Sequence, residues 1–348
     1  MKVVSSDRHR AHNPSFEVNY GERVAMFEVP DRADRIVEAL RGDASFELVA
    51  PTDHGREPID AVHDPALLDF LADAWERFQT DSHPLELVFP DVMLHPALVE
   101  GMGPGARPDH IGGQLGYWCW ETNTPLADGT YAAARASVDI ALGALDAVDA
   151  GDRSAYAVCR PPGHHAPRAA YGGYCYFNNA AIVATEARRR GRHKVVVLDV
   201  DYHHGNGTQQ LFWSRSDVMY VSLHGDPRRA YPYFCGHADE TGGDGGRHST
   251  LNLPLAEGVD DTAYLAALER GVDAIGRFAP DLLVVSLGVD TSVGDPLGDF
   301  ALTTAGMGAC GALVAALGLP TVIVQEGGYD LGTVATDVHA WLRPFTAV

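Results

Sequence analysis

Val195-Val-Val-Leu-Asp199-Val-Asp201-Tyr-His203-His204-Gly205-Asn206-Gly207-Thr208 is the stretch on which the reading of the chain turns. Its first half is a continuous β-branched and aliphatic run, the pattern of a strand buried on both faces of a parallel sheet. Its second half alternates acids and imidazoles and closes on glycines. That puts it at the carboxyl end of the strand, where open α/β sheets hold their ligands. While strand geometry lasts, residues 199, 201 and 203 share a face, because the side-chain period is two. Asp201 and His203 then pair an anionic oxygen with an imidazole nitrogen, a combination suited to a divalent metal. Asp199 sits one step deeper. An acidic strand end with solvated histidines is the competing reading, and the spacing alone does not choose between them.

Working outward, similar strands recur. A run over 155–160 enters Pro161-Pro-Gly-His164-His165, a rigid turn presenting two adjacent histidines. A helix follows Asn178-Asn179 and ends near 190, with basic residues suited to its C-terminus. Beyond the central stretch come a strand over 218–224 and a long loop over 225–250 carrying Tyr231, Tyr233 and Phe234. A helix over 261–278 has Leu265, Leu268, Val272 and Ile275 on one face. The run 281–287 ends at Gly288-Val289-Asp290. After a helix near 303–317, the run 321–325 ends at Glu326-Gly-Gly-Tyr329. Toward the N-terminus the pattern predicts a short strand from residue 2, a loop over 13–28 containing Glu17, and a helix near 31–41. A further helix opens at Asp64-Pro65, with Asp as N-cap and Pro in the first turn. The helical pattern returns at 130–150. Between about 80 and 128 no periodicity survives: six prolines (84, 90, 96, 104, 108, 125) and the knot Tyr117-Trp118-Cys119-Trp120 interrupt it. A segment of this length without regular structure is usually functional or an interaction surface. Met93, Leu94, Met102 and Trp118 would serve a partner chain if exposed. Strands otherwise alternate with helices from end to end, which predicts one doubly wound α/β domain over 1–348 with a mainly parallel sheet.

Composition narrows the function. Hydrophobic residues make up 46% of the 348, enough for a sizeable core. The formal charge is −21, and lysine occurs only at positions 2 and 194. Such a field repels nucleic acid and attracts small cations. No apolar run is long enough to span a membrane, and the first residues lack the apolar core of a secretion signal. The five cysteines have no CxxC spacing and read as reduced thiols of a cytoplasmic protein.

Four of the strands thus end in chemically loaded residues: His164/His165, Asp199/Asp201/His203, Asp290 and Tyr329. Their convergence at one sheet edge predicts a single active site. Asp201, His203 and Asp290 supply three N/O ligands and leave room for water and substrate, the format of a catalytic metal. One of the two histidines can take the water's proton and return it to a leaving amine. Tyr329, on a Gly-Gly hinge, can donate its hydroxyl to a developing oxyanion. Together these parts suit metal-assisted hydrolysis of an amide.

Arg160-Pro-Pro-Gly-His-His165, Asp199-Val-Asp-Tyr-His-His-Gly-Asn-Gly-Thr208, Ser286-Leu-Gly-Val-Asp290 and Glu326-Gly-Gly-Tyr329 resemble the motifs of the zinc-dependent histone deacetylase and acetylpolyamine amidohydrolase superfamily. The resemblance extends over nearly the whole chain. It implies an arginase-like (deacetylase) fold, a doubly wound sheet of about eight strands. It implies one catalytic Zn²⁺ on Asp201, His203 and Asp290, with His165 as general base and acid, His164 as its electrostatic partner and Tyr329 polarising the carbonyl. It also implies a structural K⁺ held by Asp199 and Ser222 with the carbonyls of Asp201, His203 and Leu223, and support of His164 by Asp199. Gly173, Tyr174 and Tyr231 are implied as substrate-tunnel residues. Within the superfamily the bacterial acetylpolyamine amidohydrolases are matched most fully. That match implies small cationic acetylated amines as substrates, contact of Glu17 with the distal amine, and a homodimer formed through the 80–128 insertion, which would narrow the active-site mouth. Position 206 is Asn where some deacetylase classes carry Asp, implying that His165 lacks a carboxylate partner.

Three other readings compete. A two-metal ureohydrolase needs paired aspartates on the late strand, whereas the next acid after Asp290 is Asp295, across a glycine. A protein acetyl-lysine deacetylase would use the same chemistry behind a different mouth. A catalytically inactive ligand-binding relative should lack a ligand or the tyrosine, and none is missing.

Overall fold

Every residue of the central runs is buried: Val195–Asp199, Leu282–Leu287 and Thr321–Gln325. A computed structural model describes residues 1–81, 84–103 and 105–347. Among these, ten strands form: β1 (Lys2–Val4), β2 (Glu17–Asn19), β3 (Glu22–Val24), β4 (Glu47–Val49), β5 (Ser154–Ala157), β6 (Val195–Asp199), β7 (Val218–Gly225), β8 (Thr250–Leu255), β9 (Leu282–Leu287) and β10 (Thr321–Gln325). Eight build one sheet in the order β4-β1-β5-β10-β9-β6-β7-β8, and every pairing in it is parallel. The doubly wound, mainly parallel sheet expected from the sequence is therefore what forms.

Successive residues of one strand feed two cores. Val195 and Val197 pack with Ile140 and Ala141 of the helix Thr130–Asp149 and with Ile182 of the helix Asn179–Arg189. Val196 and Leu198 face the other way, onto Leu268 and Ile275 of the helix Asp261–Phe278 and Val314 of the helix Thr304–Ala315. Two-sided burial is the reason these strands read as unbroken apolar runs. Each fully buried side chain of this size contributes about 1.5–3 kcal/mol relative to exposure.

The topology does one thing for function. β5, β10, β9 and β6 are the four central neighbours, and parallel pairing puts all their carboxyl ends on one edge. Register keeps those ends level: Asp199 pairs with Ser286, and Leu287 with Gln325.

Several expectations needed correction. The 13–28 segment is not a loop throughout, because β2 and β3 form an antiparallel hairpin across it. Its turn, Tyr20-Gly21, has positive φ at both residues (50° and 81°), the primed geometry of a two-residue hairpin, without the usual Asn-Gly signature. The edge strands β4 and β8 also went unread; their burial is mixed, so neither shows a continuous apolar run. The 80–128 insertion is not structureless. It contains the helix Ile111–Trp118, whose Ile111, Leu115 and Trp118 enter the core. Trp118 is thus buried against Phe70 instead of being offered to a partner. Pro104, one of the six prolines, lies outside the described residues. Among the described residues, the large apolar side chains exposed on the insertion are Leu85, Val92, Leu94, Leu98 and Met102.

Candidate active site

β6 ends at Asp199, so Asp201 and His203 stand on the turn beyond it and not on a continued pleat. The turn does what the strand was expected to do. His203 Nδ1 lies 3.2 Å from Asp201 Oδ1 and 3.0 Å from Asp290 Oδ2. The three donor atoms fall within 4.8 Å of one another. Backbone groups fix both carboxylates: Tyr202 N–H donates to Asp290 Oδ1 (2.9 Å) and Gly327 N–H to Asp201 Oδ2 (2.7 Å). Position 327 must be glycine, because a Cβ there would sit 2.3 Å from Asp290 Oδ2 and 2.5 Å from Asp201 Oδ2. Both aspartates are fully buried. Burial and the Asp201 charge push Asp290 up, to about 7. Two carboxylates buried side by side around one imidazole nitrogen are electrostatically costly without a cation, and an O/N/O set of this spacing fits one divalent ion.

His164 and His165 occupy the turn after β5, their rings 4.0 Å apart. They differ in their partners. His164 Nδ1 meets Asp199 Oδ2 at 3.1 Å. Burial opposes its charge, but Asp201 and Asp199 outweigh burial and hold its pKa up, to about 10. His165 Nδ1 meets Asn206 Oδ1 at 2.7 Å, while Asn206 Nδ2 reaches the His165 carbonyl at 3.5 Å. The amide oxygen can only accept, so the ring proton is on Nδ1 and Nε2 is left as a base. Burial, with His164 and His203 nearby, pushes the His165 pKa well down. The different partners of the two histidines thus push their pKa values apart, the division of labour an acid–base pair needs. Glu326, which sequence reasoning treated only as part of a motif, anchors this turn. Its Oε2 accepts from Gly163 N–H (2.6 Å) and His164 N–H (3.1 Å), and its Oε1 from Ser286 (3.0 Å).

Tyr329 follows Gly327-Gly328, but those glycines do not make it mobile. Arg32 donates to the carbonyls of Glu326 (2.7 Å) and Gly328 (2.5 Å), and its guanidinium carbon lies 4.5 Å from the centre of the Tyr329 ring. Glu28 fixes Arg32 and Arg160 together, accepting from each at 2.8 Å. Burial raises the Tyr329 pKa well above that of a free phenol, against the opposing pull of Arg32, so the hydroxyl remains a donor.

These groups open onto a pocket of about 290 Å³ lined by His165, His203, Tyr329, Gly173, Tyr174, Tyr231 and Glu17. Gly173 (φ +61°) lies against His165, where a Cβ would meet the ring at 2.4 Å. Tyr231 stacks on Trp120 (5.6 Å between centroids) and meets His165 edge-on at 5.1 Å. Glu17 is fully buried. Its Oε2 accepts from the Tyr174 hydroxyl at 2.8 Å, and its Oε1 has no hydrogen-bond partner. Burial pushes its pKa up to about 7.

Sequence reasoning missed Glu121 and Leu297, which also line this pocket. Glu121 Oε1 accepts from Gly173 N–H at 2.9 Å and from Thr124, and burial raises its pKa. Nothing marks it locally. It arrives because Cys119 pairs with Tyr171, stitching the end of the insertion onto the Gly173-Tyr174 turn. Ser222 is the register partner of Asp199, and its hydroxyl is 2.7 Å from His224 Nδ1.

Comparison with known proteins agrees with this geometry. A family model described as the histone deacetylase domain matches residues 26–344. Acetylpolyamine amidohydrolase 1 of Pseudomonas aeruginosa is 44% identical over 337 residues, covering 96% of this chain and 95% of that protein. The acetylpolyamine amidohydrolase of Mycoplana ramosa is 39% identical, covering 99% of each. A crystal structure of acetylpolyamine aminohydrolase from Burkholderia pseudomallei superposes with a TM-score of 0.93 at 38% identity, over 100% of this chain and 99% of that one. The fold is the deacetylase fold anticipated from the motifs.

Proposed function

The chain belongs to the histone deacetylase domain family and is an amide hydrolase, and we propose that it removes the acetyl group from N-acetylated polyamines or related small cationic amines. One observation carries the substrate assignment: Glu17, buried in the wall of the catalytic pocket, keeps one carboxylate oxygen without a partner. An ammonium group several methylenes from the scissile amide would complete it, between the aromatic walls Tyr174 and Tyr231. The net charge of −21 adds to the negative potential around the pocket.

Asp201, His203 and Asp290 would hold the ion, which we take to be Zn²⁺. Bound there, such an ion acidifies water and polarises an amide carbonyl. The remaining work belongs to the protein's own groups. His165, its Nδ1 committed to Asn206, accepts the proton of the attacking water at Nε2 and returns it to the amine that leaves. His164, its Nδ1 at 3.1 Å from Asp199 Oδ2, is held beside His165 as its electrostatic partner. The Tyr329 hydroxyl donates to the oxyanion as it forms. A structural K⁺ on Asp199 and Ser222 with the carbonyls of Asp201, His203 and Leu223 belongs to the same reading; its support is the register pairing of Asp199 with Ser222. The exposed apolar residues of the insertion support a homodimer. Five free cysteines suit a reducing, cytoplasmic setting, and among the described residues no helix is long and apolar enough to cross a membrane.

The test is a panel on purified, metal-quantified protein. N-acetylputrescine should be hydrolysed with kcat/KM at least tenfold above that of an acetyl-lysine peptide or a neutral acetamide of equal length. A preference for the peptide would replace this substrate class with acetylated protein, and activity on neither would leave an inactive ligand-binding relative.

A further inference from the structure

A donor that must meet a carbonyl oxygen as charge develops needs a fixed backbone, and Tyr329 stands on a loop outside helix and sheet. Side chains supply what secondary structure does not. Gln325 holds the Gly327 carbonyl at 2.8 Å, and Arg32 holds the carbonyls of Glu326 and Gly328. The anchor on Tyr329 itself is Asp295. Its Oδ2 accepts from the backbone N–H of Tyr329 (2.6 Å) and of Asp330 (3.1 Å), and its Oδ1 from Leu297 N–H (2.9 Å). All three donors lie outside regular structure, and Asp295 is 6% exposed. Leu297 in turn packs with Met26 and Tyr174 against the Tyr329 ring.

We propose that Asp295 is a positioning residue for the amide hydrolysis assigned above. It ties the segment that carries Asp290, five residues earlier, to the backbone of the hydroxyl donor. One carboxylate thereby fixes the spacing at the Tyr329 backbone itself, beyond the contacts that Arg32, Gln325 and Asp201 make with residues 326–328. The inference rests on the role given to Tyr329. Displacing such a group by about 1 Å can cost about a hundredfold in rate. Asparagine at 295 keeps the size but offers one acceptor oxygen, and its NH₂ would confront a backbone N–H.

Two measurements on the full chain test this. With 3-fluorotyrosine at position 329, the ¹⁹F resonance should shift or broaden on Asp295→Asn. On the metal-loaded enzyme, Asp295→Asn should lower kcat for N-acetylputrescine about tenfold to a hundredfold, with KM within about twofold and metal content unchanged. Added to Tyr329→Phe, it should cost almost nothing further, because the donor it positions is already gone. An unchanged fluorine line, or losses that multiply in the double variant, would overturn the proposal. Should Asp295→Asn fail to fold, Asp295→Glu, which keeps the charge and both acceptors but lengthens the reach, goes through the same cycle with the same decision. If the parent enzyme hydrolyses no acetylated amine, the substrate reading falls by itself, and the fluorine line still decides whether Asp295 holds Tyr329.

Discussion

Glu17 should make the enzyme's preference for cationic substrates depend on pH. Its carboxyl is buried, which pushes its pKa up to about 7, against the opposing hydrogen bonds from the Tyr174 hydroxyl and the Phe27 N–H. A carboxyl with that pKa is about one-eleventh ionised at pH 6 and about ten-elevenths ionised at pH 8. Only the ionised form pairs with an ammonium, and in a partly dry pocket that pairing is stronger than in open water. The ratio of kcat/KM for N-acetylputrescine to that for a neutral acetamide of equal length should therefore rise about tenfold from pH 6 to pH 8, equivalent to about 1.4 kcal/mol. Taking the ratio cancels the titration of His165 and of the attacking water, which both substrates share. Glu17→Gln should flatten the ratio at its low-pH level. Stability should move in the opposite sense. The folded pKa lies above the unfolded value of about 4.3, so the unfolded chain releases its proton first and folding loses stability as pH rises from about 4 to 7. Glu17→Gln should accordingly melt higher than the parent at pH 8, with the gain shrinking as pH falls and vanishing only below about pH 4. A pH-independent ratio in the parent, or equal losses on both substrates in the variant, would refute the reasoning.

Asp290→Asn should leave the chain folded but weaken divalent-metal retention at least tenfold, read by elemental analysis after dialysis, since it removes one of three converging donors; full metal content would remove Asp290 from the ligand set. Asn206→Asp should raise the pKa of the acidic limb of the rate profile on a neutral substrate, because a carboxylate at 2.7 Å from His165 Nδ1 stabilises its imidazolium. An unshifted limb would mean that another group governs it. Light scattering should find a dimer, and Leu98→Asp with Met102→Asp, at residues 62% and 77% exposed, should favour the monomer; a parent that is monomeric and fully active at working concentration would reject the insertion as an interface.

The sequence by itself determined the central buried strands and the residue types gathered at their ends. A parallel strand covered on both faces must be apolar at every position, so 195–199, 282–287 and 321–325 announce themselves without reference to anything else. The candidate metal-ligating and acid–base residues at their ends, which the fold does bring together, stood out for a related reason: the proposed chemistry needs those residue types, and they gather where a strand stops. The roles drawn from the motifs went further than spacing could, because spacing did not distinguish His164 from His165. Their partners do, Asp199 for one and Asn206 for the other, each more than thirty positions away. Tertiary structure alone decided which strands are neighbours, that Trp118 turns inward, that Glu121 reaches the pocket, and that Asp295 holds the backbone of Tyr329. It also decided that Glu17 is buried and has a raised pKa. Strand order, burial and the pKa that burial shifts arise from contacts among segments distant along the chain, and no local pattern of residue types carries that information.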